Sequence, residues 1–207
     1  MKMKKIICYG DSNTFGYSPK DGIRFDENTR WTGVLQKILG AGYEVINEGA
    51  CDRTGFVNNP KGGLFSAPVH FPEFIVRVEN FDLLILWIGT NDLQFQYDIS
   101  GEVIEKGLEN LIKQAKTKAK NIIVIPPVIL TEKVLAGYFS YQFDETSVAK
   151  SKEAGKIFRQ VAENNHCSFF DINEFTSPSD FDGLHYDENS HRLIAEKLTA
   201  HIRENIL

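Results

Sequence analysis

The chain has 207 residues, of which 42% are hydrophobic and 25% are charged, and its formal net charge is −5. A chain of this length can bury a core large enough to fold without a disulfide or a metal, so we expect one domain over residues 1–207. The acidic balance, without a basic stripe, argues against a nucleic-acid partner. No apolar run approaches the roughly 20 residues of a membrane-spanning helix, so no membrane partner is expected.

Apolar runs alternate with helical patterns along the chain, which favours a parallel sheet covered by helices. Residues 83–88 are apolar at every position, as expected for a strand buried on both faces, whereas residues 101–119 carry apolar side chains at helical spacing. We therefore expect a three-layer α/β/α sandwich with a five-stranded parallel sheet of the flavodoxin-like type. In chain order, the pattern predicts strand 4–9, helix 32–39, strand 43–47, helix 72–78, strand 83–88, helix 101–119, strand 122–125, helix 146–164, strand 168–172 and helix 189–204.

The three cysteines of the chain show no paired spacing. Cys8 and Cys167 lie in strand-like runs, where a free cysteine behaves as a small buried hydrophobe. The first residues are basic, as in a signal peptide, but the apolar run at residues 6–9 is too short for one. These features predict a cytoplasmic protein.

Three long loops, at residues 11–30, 50–71 and 126–145, follow the carboxyl ends of predicted strands. Loops of this length usually carry function, and here they can line a substrate pocket, form subunit contacts or do both. They carry more aromatic side chains than a monomer of this size is expected to bury beside a complete core, so we predict a homo-oligomer. These side chains are Phe56, Phe65, Phe71, Tyr138, Phe139, Tyr141 and Phe143.

The sequence Gly-Asp-Ser-Asn at residues 10–13 directly follows the first predicted strand. A serine at the start of a helical segment has backbone N–H groups beside it, and its own N–H can help to bind an oxyanion. Ser12 is therefore a candidate nucleophile, with a helix N-cap as the alternative. Phe15 and Tyr17 are candidates for an apolar pocket wall or for core packing. Asp11 is a candidate pocket residue or an acceptor for loop N–H groups.

His185 is the histidine that best fits a general base, because Asp182 precedes it by three residues in a loop after the last predicted strand. That spacing lets one turn place the carboxylate against Nδ1 of the ring and leaves Nε2 for a serine. A surface Asp-Gly turn before a helix is the alternative. Asp180 and Asp187 are rival carboxylates at less favourable spacings.

Asn91, in Gly-Thr-Asn-Asp after the third predicted strand, offers side-chain N–H donors to an oxyanion. Gly49 follows the second strand and can offer its backbone N–H at the same edge of the sheet. The alternatives are an Asn-Asp turn and a glycine that permits a turn. Asp92 is expected to hydrogen-bond loop backbone. Because the carboxyl ends of parallel strands share one edge, these segments should converge there.

Taken together, these motifs resemble those of the SGNH hydrolases, also called GDSL-like lipases and esterases. The Ser, Gly, Asn and His of the family pattern fall on Ser12, Gly49, Asn91 and His185, and Asp182 matches the triad acid. The resemblance extends from the first strand to the last helix. The first motif ends in Asn rather than Leu, a change that the wider family tolerates.

A narrower resemblance points to the small bacterial arylesterase and acyltransferase branch. It rests on Arg-Trp-Thr-Gly-Val-Leu at residues 30–35, on Glu48, Gly49, Arg53 and Thr54, and on residues 89–92. Some members of that branch form large homo-oligomers with restricted active-site channels. Cys51 and Asp52 depart from the small or apolar residues expected there.

The resemblance implies a serine esterase acting on small-molecule esters with short acyl chains, acetate to butyrate, and with acyltransferase activity when an alcohol replaces water. Ser12, His185 and Asp182 would form the triad, and Ser12, Gly49 and Asn91 the oxyanion hole. No metal or organic cofactor is implied. A carbohydrate O-deacetylase with the same triad is one alternative. A flavodoxin-like module that binds phosphate or flavin through residues 9–14 is another.

Overall fold

The computed structural model describes residues 3–206 and contains a five-stranded sheet whose neighbouring strands all pair in parallel. The strand order is β2-β1-β3-β4-β5, the order of flavodoxin-like doubly wound sheets. The predicted strands are all present, with shifted ends. They are β1 (Lys4–Gly10), β2 (Tyr43–Gly49), β3 (Phe81–Trp87), β4 (Ala119–Ile125) and β5 (Ser168–Phe169).

The α-helices pack as two groups, α2 with α6 and α3 with α4 and α5. Strand β3 is buried along nearly its whole length, because the sheet needs apolar side chains on both faces. The predicted three-layer arrangement is therefore observed. The helices are α1 (Ser12–Phe15), α2 (Trp31–Leu39), α3 (Ala67–Arg77), α4 (Gly101–Ala115), α5 (Glu145–Asn164) and α6 (Glu188–Asn205).

Three of the larger differences from the predicted boundaries have local causes. Helix α4 ends at Ala115 rather than at residue 119, because Ala119 pairs with Phe81 at the start of β4. Strand β5 stops at Phe169, since Asp171 caps a 3₁₀ turn by accepting the Asn173 N–H. Helix α3 begins five residues before Pro72, with another proline in its first turn, where a missing N–H costs nothing.

The direction in which the chain moves across the sheet reverses between β1 and β3. After β1 the chain crosses to β2 on one side, and after β3 it crosses to β4 on the other. In open parallel sheets, ligands bind outside the carboxyl ends of the strands at such a switch point. Ser12 follows β1 and Asn91 follows β3, so the fold places both candidates there.

All three cysteines carry free thiols. Cys8 is buried in β1, where burial raises the pKa of its thiol, whereas Cys51 and Cys167 are half-buried. None of the helices within residues 3–206 combines the length and apolar character that a membrane crossing requires.

Candidate active site

Ser12, His185 and Asp182 form a continuous hydrogen-bonded chain. Ser12 Oγ lies 2.9 Å from His185 Nε2, and His185 Nδ1 lies 2.7 Å from Asp182 Oδ2. All three residues are buried, which limits competition from water for these bonds. The arrangement has the geometry of a nucleophile, a general base and a carboxylate that orients the base.

A tight turn holds Asp182 against the histidine. Asp182 Oδ1 accepts the backbone N–H groups of Leu184 and His185, each at 2.9 Å, while Oδ2 is left for the ring. Gly183 has a φ of +70°, and a Cβ there would lie 2.5 Å from Thr131 Oγ1. The Asp-Gly pair is therefore required both by the carboxylate's contacts and by the conformation of the turn.

The two rival carboxylates lie elsewhere. Asp180 is exposed. Asp187 is the N-cap of α6, where its side chain accepts the Ser190 N–H at 2.8 Å. Neither carboxylate hydrogen-bonds to His185 in the described part of the chain, so the structure favours Asp182 over both.

Ser12 is the first residue of α1, and the N-cap is Asp11, whose Oδ1 accepts the Asn13 N–H at 3.0 Å. The alternative of Ser12 as the N-cap is therefore wrong. Because the preceding aspartate caps the helix, the Ser12 side chain is left for the histidine. The Ser12 N–H has no protein acceptor among residues 3–206, as an oxyanion donor requires.

Asn13 connects the serine and the histidine in a way that the sequence did not indicate. Its Nδ2 donates to Leu184 O at 3.3 Å, and its Oδ1 accepts the Tyr186 N–H at 3.4 Å. These contacts bracket His185 from the residues on either side. Asn13 O also accepts the indole N–H of Trp31. The Asn that replaces the family Leu thus helps to fix the distance between Ser12 and His185.

Asn91 and Asp92 tie the end of β3 to the loop that follows β2. Asn91 Nδ2 donates to Arg53 O at 3.1 Å, while its Oδ1 accepts from Gln94. One amide hydrogen is thereby used and a second remains to bind an oxyanion. The Asp92 carboxylate accepts three consecutive backbone N–H groups, those of residues 55, 56 and 57, at 2.6–3.0 Å. Burial raises the pKa of Asp92 to about 7, although these donors favour its charged form.

Arg53 is a buried cation that the sequence identified only through the branch resemblance. Its guanidinium donates to the carbonyl oxygens of Gly10, Glu48 and Leu64 and lies 4.3 Å from the centre of the Tyr9 ring. It thus joins the ends of β1 and β2 to the following loop. A single sequence does not show which backbone carbonyl oxygens an arginine contacts, so the structure is needed to identify these hydrogen bonds of Arg53.

Gly49 does not have the geometry predicted for an oxyanion donor. Its N–H donates to Asn47 Oδ1 at 3.0 Å and is therefore already engaged. A Cβ at this position would lie 2.1 Å from Phe15 N and 2.5 Å from Thr14 C. The physical reason for glycine here is the close approach of α1 to the end of β2.

Of the three predicted pocket residues, the structure brings one into contact with the His185 ring. The centre of the Tyr17 ring lies 4.3 Å from that of His185. Phe15 instead packs under the Arg24 guanidinium, 4.3 Å from its ring centre. Asp11 is fully buried, so its side chain does not form an exposed pocket wall. Phe139, which the sequence placed only among the loop aromatics of the predicted oligomer, contacts His185 at 5.2 Å between ring centres.

Asp11 is the least well satisfied polar group of the site. Its Oδ2 and the neighbouring Thr90 hydroxyl are buried and lack a well-aligned hydrogen-bond partner within residues 3–206. Burial raises the pKa of Asp11 to about 6, against the lowering effects of the Asn13 N–H, His185 and Arg53. The Asp11 carboxyl therefore stays protonated to a higher pH in the folded state than an exposed carboxyl would.

Asp11→Asn should stabilise the protein above pH 6. Because the folded pKa is about 6 and the ordinary value is 3.8, ionisation of Asp11 costs stability as the pH rises from about 4 to about 6. We expect the variant to escape this loss and to exceed the wild type at pH 8 by about 1–3 kcal/mol, measured by urea unfolding. Asp92→Asn is the contrasting variant: burial also raises the pKa of Asp92, but both of its oxygens accept backbone N–H groups, so an amide NH₂ would face a donor and stability should fall. A wild type whose stability rises between pH 4 and 6, with no gain in Asp11→Asn, would contradict this prediction.

Comparisons with known proteins agree with this geometry. Residues 8–193 match the model of the GDSL-like lipase/acylhydrolase family. A native aryl esterase from M. smegmatis is 30% identical, with 99% of this chain and 100% of that chain covered and a TM-score of 0.89. Est24, a carbohydrate acetylesterase from Sinorhizobium meliloti, is 26% identical over 96% of this chain and 99% of its own, with a TM-score of 0.85. No curated protein sequence matches the chain. The likeness to the aryl esterase confirms the predicted fold class.

Proposed function

We propose that this chain cleaves short-chain esters through an acyl-enzyme on Ser12. The premise is that the chain belongs to the GDSL-like lipase/acylhydrolase family and is a carboxylic ester hydrolase. The observation that carries the proposal is the hydrogen-bonded chain from Ser12 Oγ through the His185 ring to Asp182. A flavin- or phosphate-binding module would leave this buried chain without a role.

The reaction proceeds in two similar halves. Ser12 Oγ bonds to the ester carbonyl carbon while its proton passes to His185 Nε2 and the carbonyl π electrons move onto the oxygen. When the intermediate collapses, the bond to the alcohol oxygen breaks and His185 returns the proton to it. Water then attacks the acyl-enzyme in the same way, so one ester and one water give one alcohol and one carboxylic acid. If an alcohol replaces the water, the product is a new ester.

Two donors support oxyanion binding in this proposal. The Ser12 N–H lies at the start of α1 without a protein acceptor in the described region, and Asn91 Nδ2 keeps one hydrogen beyond its bond to Arg53 O. The Gly49 N–H would have to leave Asn47 Oδ1 to contribute. We therefore assign the larger share of oxyanion binding to Ser12 and Asn91.

Asn91→Ala should lower kcat by about 10²–10³ with little change in KM, because an oxyanion donor acts mainly on charge that develops in the transition state. Steady-state kinetics with an aryl acetate measure this change. Gln94→Ala is a suitable control, since it removes the partner of Asn91 Oδ1 and the acceptor of Gln96 Nε2 but leaves Asn91 Nδ2 in place, and it should cost far less. A large rise in KM at constant kcat would show that Asn91 binds the substrate ground state instead.

The substrate is proposed to be a small ester of acetate to butyrate. The aryl esterase likeness supports aryl esters, while the likeness to Est24 favours acetylated carbohydrates as a second candidate. The deciding experiment compares kcat/KM for nitrophenyl acetate, butyrate and octanoate with that for peracetylated monosaccharides. We expect kcat/KM to fall from nitrophenyl butyrate to nitrophenyl octanoate. Faster turnover of sugar acetates than of aryl acetate would favour the deacetylase.

We also propose a homo-oligomer. Of the loop aromatics, Phe71 and Phe143 are buried within the chain, whereas Tyr138 and Tyr141 remain 74% and 60% exposed. The two tyrosine rings contact each other at 5.7 Å, and such an exposed aromatic pair fits a surface covered by a second copy. Light scattering after gel filtration should give a mass well above 23.4 kDa, and a Tyr138→Ser, Tyr141→Ser variant should give a smaller one. A monomeric wild type would refute the proposal.

A further inference from the structure

Two aromatic rings from separate loops contact the ring of His185. The ring centre of Tyr17 lies 4.3 Å from that of His185, with 36° between the planes. The corresponding values for Phe139 are 5.2 Å and 59°. The ring centres of Tyr17 and Phe139 are 6.2 Å apart. This is far less than the sum of their distances to the His185 ring centre, which rings on opposite faces would approach. Tyr17 and Phe139 therefore meet the histidine from adjacent sides rather than from opposite faces.

The Tyr17 and Phe139 rings contact His185, which carries a positive charge during the proposed reaction. When Ser12 loses its proton, His185 becomes an imidazolium, and it is only 2% exposed to solvent. The Asp182 carboxylate contacts one of its nitrogens. The π face of an aromatic ring within about 6 Å attracts a cation, and this attraction strengthens when water is excluded.

We infer that Tyr17 and Phe139 stabilise the positively charged form of His185, with Tyr17 contributing more because its ring is closer and more nearly parallel. This inference rests on the proposed role of His185 as the general base. Tyr17 acts through the histidine and is a positioning residue. The inference differs from a pocket wall, which would change substrate affinity, and from simple packing, which would fix the ring without changing its charge.

Several other groups face His185 and must be separated from this effect. Asp182 comes from the same loop, and Asp11, at the end of β1, interacts with the histidine through space. His191 on α6 is buried, with its pKa lowered to about 3 by burial, so it stays neutral above that pH. The pKa of the Tyr17 phenol is itself raised, mainly by burial. Asp11, with a pKa of about 6, is the group that can imitate a histidine titration.

The test compares Tyr17→Phe, which keeps the ring, with Tyr17→Leu, which removes it, both in the Asp11→Asn background. We expect Tyr17→Phe to resemble its parent. Tyr17→Leu should lower kcat about 3- to 30-fold and move the acid limb of the kcat/KM profile to lower pH by about 0.5–1 unit. Phe139→Leu should shift the limb in the same direction by less. Tyr17→Met replaces the leucine variant if the latter does not fold.

A second readout needs no activity. NMR of histidine-labelled protein follows protonation of the His185 ring, which should half-protonate at a lower pH in Tyr17→Leu than in Tyr17→Phe. An acid limb and NMR midpoint that stay in place, or move to higher pH, in Tyr17→Leu would overturn the inference, as would a loss confined to KM. If no variant, including the parent, hydrolyses esters while the NMR midpoint still falls, the proposed function fails and the interaction with His185 stands.

Discussion

Ser12→Ala should abolish ester hydrolysis, with kcat lower by about 10⁴–10⁶ and the fold unchanged. Ser12 Oγ is the hydroxyl that hydrogen-bonds to His185 Nε2, so its removal leaves the general base without a nucleophile to activate. The residual rate would come from oxyanion donors and substrate binding alone. Steady-state kinetics, with circular dichroism to check folding, measure the effect.

The chain contains a matched control for this variant. Ser168 Oγ also contacts a histidine, at 2.6 Å from His201 Nε2, but the Nδ1 of that ring faces Asn205 Nδ2 rather than a carboxylate. Ser168→Ala should retain activity, and a fluorophosphonate should label Ser12 and not Ser168, as peptide mass mapping can show. A Ser12→Ala protein that retains a tenth of the wild-type kcat would contradict the acyl-enzyme mechanism.

His185→Ala should be as damaging as Ser12→Ala, because the two side chains transfer one proton and act as a unit. Asp182→Asn should cost less than the histidine change. The amide oxygen can still accept the N–H groups of Leu184 and His185 that Asp182 Oδ1 accepts now. The amide NH₂, however, opposes the Nδ1–H tautomer that leaves Nε2 free as a base.

The rival carboxylates provide controls for the triad acid. Asp180→Asn changes an exposed side chain and should leave kcat near the wild-type value. Asp187→Asn replaces one helix N-cap residue with another and should cost little in either stability or rate. If either substitution were more damaging than Asp182→Asn, the assignment of the triad acid would be wrong.

The five strands, their parallel arrangement and the convergence of the candidates at one edge could be predicted because they follow from local patterns. A run such as residues 83–88 identifies a buried strand, and the carboxyl ends of parallel strands share an edge. The pairing of Asp182 with His185 is local as well, since three residues of one turn contain it. These features need no knowledge of distant contacts.

The details that the sequence did not predict depend mainly on tertiary contacts. The Gly49 N–H donates to a side chain only two residues away, but the need for glycine at this position arises from α1, more than 30 residues earlier in the chain. Asn13 contacts the residues on either side of His185, and Phe139 contacts the His185 ring, at sequence separations that a single sequence does not pair. Asp11 lies next to Ser12 in the chain but is fully buried, and as the N-cap of α1 its carboxylate accepts the Asn13 N–H.

The grip of Asp92 on residues 55–57 also has an evolutionary consequence. Three hydrogen bonds to one carboxylate secure the base of the loop directly beside Asn91, while residues 58, 60, 61, 63 and 64 beyond it are exposed. The exposed side chains of this tip can therefore change without displacing the amide that would face the substrate. Variation among related enzymes, and libraries built to change their substrates, should be tolerated at that tip and rejected at its base.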